Sequence, residues 1–149
     1  MAFKLGMNAK LYFHATAGTA LASMTLVDNV KDVNIDHSTG EADVTTRGNR
    51  GFRANAATLK ECSMTFQIQQ EDGDAFLTAI KNAWLGSTTV ELCALTGDRA
   101  VEGSAGPKGS FAITNFSRSE PLEEAITYDV TAKLNSWGKW IEDGAEAGS

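Results

Sequence analysis

Cysteine and proline are nearly missing from this chain, with two of each among 149 residues. Two cysteines cannot frame a disulfide scaffold. Cys62 and Cys93 sit in apolar, strand-like stretches (CSMTF and ELCAL), where they read as small buried hydrophobes. There is no apolar run near the roughly 20 residues that a membrane-crossing helix needs, so no insertion by this chain is expected. The opening MAFKLGMNAK has no apolar core of a secretory signal, which points to a protein that acts where it is made or leaves by lysis. A basic excess is lacking too. Thirteen basic against 19 acidic side chains leave a net charge of −6. That balance argues against gripping nucleic acid by phosphate neutralisation, but not against merely surrounding it.

Chemistry-bearing motifs are equally scarce. No Gly-x-Ser-x-Gly elbow or nucleophile–base set is recognisable, and GSAGPKG (103–109) lacks the strand–turn–helix setting of a phosphate loop. His14 and His37 fit no metal-ligand spacing. Glu71–Asp72 and Glu123–Glu124 are sequence neighbours of the kind a solvated turn contains. No catalytic residue, cofactor or metal is expected.

What the chain does have is alternation. Hydrophobic content of 42% with 21% charged residues suits one compact domain spanning the whole chain, 1–149. Lys10–Ala15, Val30–His37, Glu61–Gln69, Thr88–Leu95, Ser110–Phe116 and Glu123–Leu134 read as strands. The cleanest is Glu61–Gln69, in which Cys62, Met64, Phe66 and Ile68 alternate with Glu61, Ser63, Thr65, Gln67 and Gln69. In Val30–His37 the apolar face is Val30, Val33, Ile35 and His37, with Lys31 and Asp32 inserted, and the wet face is Asp32, Asn34 and Asp36. In Glu123–Leu134, Ile126, Tyr128, Val130, Ala132 and Leu134 oppose Thr127, Asp129, Thr131 and Lys133. One helix is predicted over 73–85, capped by Asp72, ended by Gly86, with a stripe of Phe76, Leu77, Ile80, Ala83 and Trp84. Ser38–Thr58 has almost no periodicity and reads as a long loop, and Gly97–Gly109 as a glycine-rich turn. Together these predict a mainly β protein, an antiparallel sandwich or barrel with one flanking helix. Its strand edges, not guarded by proline, call for something to pair with them.

Arg47, Arg50 and Arg53 recur every third residue around Phe52 in RGNRGFR, inside the predicted loop. Three roles stay open: pairing with carboxylates of another subunit, simple solvation, or phosphate binding. The acidic excess elsewhere favours the first. Trp137 and Trp140, beyond the last predicted strand, are expected to dock either on their own domain or on a neighbour.

Three phrases, MAFKLGMNAKLYF, VKDVNIDHSTGEADVTTRGNRGFRANAATLKECSMTFQ and NFSRSEPLEEAITYDVTAK, resemble the major tail tube proteins of long-tailed phages, a family related in fold to type VI secretion tube proteins. The resemblance runs from Met1 to about Lys133. It implies a virion structural protein, assembled in the host cytoplasm, whose six-membered rings stack into the hollow tail tube that DNA crosses during ejection. The implied partners are further copies of itself and the tape-measure, tail-tip and tail-terminator proteins, with DNA in transit and not specifically bound. It implies assembly roles for an N-terminal arm (1–8), the loop 38–58 with Arg47, Arg50, Phe52 and Arg53, and a C-terminal arm (135–149). The wet strand faces would then line the lumen: Asp32, Asn34, Asp36, Glu61, Ser63, Thr65, Gln67, Gln69, Thr127, Asp129 and Thr131. A tube of a contractile tail or secretion needle, and a monomeric β-sandwich binding module, are the alternatives.

Overall fold

A computed structural model describes residues 5–100 and 103–142. Seven strands form one antiparallel sheet in the order β2-β1-β5-β6-β7-β4-β3. They are β1 (Lys10–His14), β2 (Thr25–Val27), β3 (Val30–Asp43), β4 (Asn55–Gln69), β5 (Thr89–Leu95), β6 (Gly106–Ser119) and β7 (Thr127–Ile141), with one helix, α1 (Ala75–Gly86). The mainly β, antiparallel, single-helix fold expected from the sequence is present. It is one sheet and not a closed barrel.

The sheet is nonetheless strongly rolled, and the chain's own connectivity requires it. β2 and β3 are the two opposite edges, yet only Asp28 and Asn29 separate them. Laid flat, six inter-strand steps would put these edges about 29 Å apart. The link from Val27 to Val30 can reach only about 11 Å. The edges must therefore curl toward each other, and the inner face of the roll becomes the core. Leu11 and Phe13 of β1, Val27 of β2, Met64, Phe66 and Ile68 of β4, Leu92 of β5, Phe111 of β6 and Val130 of β7 join there, with Val33 and Ile35 of β3 packed against them. The helix lays Phe76, Ile80 and Ala83 onto this core, Phe76 between Phe13 (4.8 Å) and Phe66 (5.6 Å). Trp84, predicted in the same stripe, stays half-exposed beside Phe116.

Several boundaries differ from those read in the sequence. The helix cap is Asp74, whose carboxylate accepts from the Phe76 N–H at 3.0 Å, and not Asp72. Ser87, left-handed at φ 54°, ends it beyond Gly86. Both ends of the predicted loop 38–58 belong to a ladder: β3 continues to Asp43 and β4 starts at Asn55. Both faces of this stretch are wet, so backbone pairing holds it without any apolar alternation to betray it. Asn135–Ile141 is likewise not an arm but the second half of β7, while the N-terminal segment forms a short 3-10 turn, Gly6–Asn8. Met1–Lys4 and residues 143–149 of the two predicted arms lie outside the described residues. β7 starts at Thr127, which leaves Ile126 partly exposed before the strand instead of in the core. β6 begins at Gly106, inside the predicted glycine-rich turn. Glycine stands there because strands crowd: a Cβ at Gly106 would fall onto the Ala94 carbonyl oxygen.

The outer face of the roll behaves differently at its two ends. Over β1, β5 and the start of β6 it is covered by residues 15–24, which bury Tyr12, Leu21, Met24, Cys93 and Leu95 in a second core with Ile141. Arg99 seals this layer, its guanidinium 4.9 Å from the Tyr12 ring and donating to the Leu21 carbonyl at 2.8 Å. Beside it a buried ion pair joins Glu91 to Lys108 at 2.7 Å. The other Glu91 oxygen accepts from the Ser110 hydroxyl and the Gly18 N–H, both at 2.9 Å, which pins the covering segment down. Trp137 lines the cleft above this pair, and Trp140 sits 5.5 Å from His37. Each docks on its own domain with about half its surface still exposed.

Replacing Lys108 by Met should cost about 3–5 kcal/mol, since it leaves a buried carboxylate without its counter-charge. Urea unfolding of Lys108→Met against the unsubstituted chain measures this.

Candidate functional site

Over β3, β4, β7 and the far half of β6, the outer face of the roll is bare and polar. The strand register brings most of the predicted wet-face residues together there. Thr65 stands opposite Asn34 on one side and Thr131 on the other, Ser63 opposite Asp36, Gln67 opposite Asp129, and Gln69 opposite Thr127. Glu61 pairs with Ser38 further along the same face. β6 extends the rows through Asn115 opposite Thr131 and Ser117 opposite Asp129. A side-chain bond ties one row, the Gln67 amide donating to Asp129 at 3.0 Å. The face is therefore a field of hydroxyls and amides with few charges, and these are of both signs.

Asp32 is the exception among the eleven. The ladder slips between Lys31 and Asn34, and Asp32 takes a left-handed φ of 54° in that bulge. It lies beside the seam between the two sheet edges, next to Val33. Lys31, not Asp32, stands opposite Gln67 in the polar rows. The sequence showed two polar residues inserted between Val30 and Val33, but not which of them the bulge would turn away.

The β3–β4 ladder outruns its neighbour. β7 pairs with β4 only as far as Ser63, so the remainder of the hairpin projects beyond the sheet. Its tip, residues 44–54, is held by its own hydrogen bonds. Val44 N–H donates to the Ala54 carbonyl (2.9 Å), Ala54 N–H to the Thr45 hydroxyl (2.9 Å) and the Asn49 amide to the Phe52 carbonyl (2.8 Å). The Thr45 hydroxyl and N–H hold the Asp43 carboxyl below the usual carboxylate range. Arg50 (φ 53°) and Gly51 (φ 83°) turn the chain in left-handed backbone. On this frame Arg47, Arg50, Phe52 and Arg53 all point to solvent, with Phe52 73% exposed. None of the three guanidinium groups makes an ion pair with any described residue. Among the described residues, no group of three His, Cys, Asp or Glu could hold a metal ion.

A family model described as phage tail tube protein matches residues 7–139, and the chain belongs to that family. Its place is the virion tail. No match was found among curated protein sequences. Solved structures share the fold. A chain from the tail of an empty gene transfer agent particle, refined with C6 symmetry, has a TM-score of 0.68 at 14% identity, covering 94% of this chain and 98% of that one. The SPP1 tail tube has a TM-score of 0.70 at 17% identity over 94% of this chain and 78% of its own. A chain of the anti-feeding prophage baseplate has 0.65 at 4% identity, covering 95% of both.

Since the tip arginines are exposed and make no ion pair with any described residue, Arg47, Arg50 and Arg53 replaced together by Ala should shift the melting temperature by no more than about 3 °C. Thermal unfolding followed by circular dichroism checks this.

Proposed function

We propose that this tail tube protein joins side by side into six-membered rings, with the polar face of β3, β4, β7 and β6 lining the lumen that DNA crosses. One observation carries the reading: a register-matched polar sheet bounded on both sides by strand edges that the domain leaves unpaired. On one side, β3 has no neighbour beyond β4 among the described strands. On the other, β5 pairs with β6 only up to Ala112, so Ile113–Ser119 has β7 on one flank and no described strand on the other. Four antiparallel strands lie between these edges. Because that number is even, the last strand runs opposite to the first, and an identical copy placed alongside continues the antiparallel alternation. Pairing edge to edge also removes the hazard that open strands present.

Six copies of four strands make roughly 24, whose spacing of about 4.8 Å gives a circumference near 115 Å and a backbone diameter of about 37 Å before strand tilt widens it. Such a bore admits a duplex. A wall of amides and hydroxyls with a slight acidic excess offers passing phosphates no cluster of cations to neutralise. Tape-measure, tip and terminator proteins are the partners a tube of this kind would meet at its core and ends. The same geometry could serve a sheathed tube or a secretion needle, which differ in what contacts the outside.

Negative-stain microscopy of the purified chain over a concentration series should show rings or tubes. A chain that stays monomeric at high concentration, and is also missing from the tails of assembled particles, would refute the proposal. Replacing Asp36 and Asp129 by Lys should preserve tubes but make them retain DNA in a salt-sensitive way, because each phosphate contact adds salt-dependent affinity. If ejection and DNA retention stayed as in the unsubstituted tube, these residues would not face the channel.

A further inference from the structure

The second half of β7 is interrupted twice within a few residues. Leu134 stands opposite Phe111 and Ser136 opposite Ser110, so Asn135 is an extra residue. Trp137 stands opposite Gly109 and Lys139 opposite Lys108, so Gly138 is another. Bulges bend a strand and re-aim its side chains, and they are over-represented next to active sites. Strict alternation would part Ser136 from Trp137, yet both line one cleft together with Lys139. The second bulge depends on glycine, since a Cβ at Gly138 would lie 2.7 Å from the Lys108 carbonyl oxygen. The polar rows of the other end are no part of this region, because the pairing of β7 with β4 reaches only Lys133.

The cleft holds about 270 Å³. That is a little under the roughly 300 Å³ at which pockets for drug-sized ligands begin, so it suits a single small ring. Its floor is the Glu91–Lys108 pair, 1% and 5% exposed, with Ser110 beside it. Lys108 gives one of its three N–H donors to Glu91 and makes no other hydrogen bond with a described residue. Glu91 accepts three hydrogen bonds, where a carboxylate has about four lone-pair sites. The Ser136 hydroxyl bonds to no described residue. Trp137 forms a wall and keeps 49% of its surface exposed, and Lys139 is the third charged group of the lining.

The charges select the guest. Across the floor they cancel, so a bare anion gains little from Lys108 that Glu91 does not oppose. What a cancelled pair does offer is a spare donor and a spare acceptor side by side. A hydroxyl group can use both at once. The half-exposed indole adds a flat apolar surface for the C–H face of a ring. We propose that this cleft binds one pyranose ring of a carbohydrate, stacked on Trp137, with neighbouring hydroxyls on Lys108, Glu91 and Ser136. Every group it needs belongs to one chain, so the site stands whether or not the chain forms tubes. A site this small is weak by itself, and repetition on many copies would strengthen its hold on a glycan by multivalency.

The test titrates the purified full chain with methyl α-mannopyranoside, methyl β-galactopyranoside and N-acetylglucosamine, up to about 50 mM each. Calorimetry reads affinity, and the indole N–H signals in nuclear magnetic resonance spectra report which tryptophan is touched. At least one sugar should bind in about the millimolar range and move the Trp137 signal. Trp137→Ala should weaken that binding at least about tenfold, Trp137→Phe should keep most of it, and Trp84→Ala should leave it unchanged. Circular dichroism confirms that each variant is folded. The proposal is overturned if none of the three sugars binds, if a folded Trp137→Ala binds as the unsubstituted chain does, or if only Trp84 or Trp140 responds. Inorganic phosphate binding more tightly than any sugar and moving the same signal would make this an anion site, which also overturns it. All these readouts come from the dissolved chain, so a failure to form rings leaves them standing, and their failure leaves the tube reading untouched.

Discussion

The two-residue link between β2 and β3 is the constraint from which the rest of this structure follows. It ties together strands at opposite edges of a seven-stranded sheet, so the sheet has to roll. Rolling gives it an inside large enough for a core that one helix completes, and an outside that must be covered or polar. The covered part is held by residues 15–24 and the Glu91–Lys108–Ser110 group. The polar part is what remains, and it is the surface that the tail tube reading uses. The link also leaves β3 as an outer edge along its whole length, with room for its hairpin with β4 to run on past the body of the domain.

Burial of charge on one part of the outer face and its dilution on the other reflect the same economy of polar groups. Glu91 and Lys108 are tolerated inside because each lies beside the other and the spare carboxylate oxygen has two further donors. On the bare part the groups are mostly uncharged, so they can face water, or a neighbouring polyanion, without a fixed partner.

The sequence made visible whatever was half-buried. Glu61–Gln69 alternates without error because one face of β4 enters the core and the other stays wet, and its polar residues fall into the rows expected of them. Where that contrast fails, the reading fails. The hairpin arms are wet on both faces and looked like loop. The second half of β7, with Asn135, Ser136 and Gly138, bends through register shifts against β6 and looked like an arm. The cap falls on Asp74, two residues after the expected Asp72, because the helix starts at Ala75 and not at Gly73. Arg99 carried no local signal at all: its partners Tyr12 and Leu21 are far away in sequence.

The two irregularities in β3 bear on the chain before it has any neighbour. Slips at Lys31–Asn34 and at Thr39–Glu41 divide a 14-residue edge into short regular runs, with a left-handed residue at the first and Gly40 at the second. A long straight edge is a template for any strand that drifts past it, and bulges and charges spoil that template. Broken in this way, the edge accepts only a partner whose own irregularities fall in step with it. A pool of unassembled subunits can then rise to high concentration without tangling into indiscriminate β-aggregates.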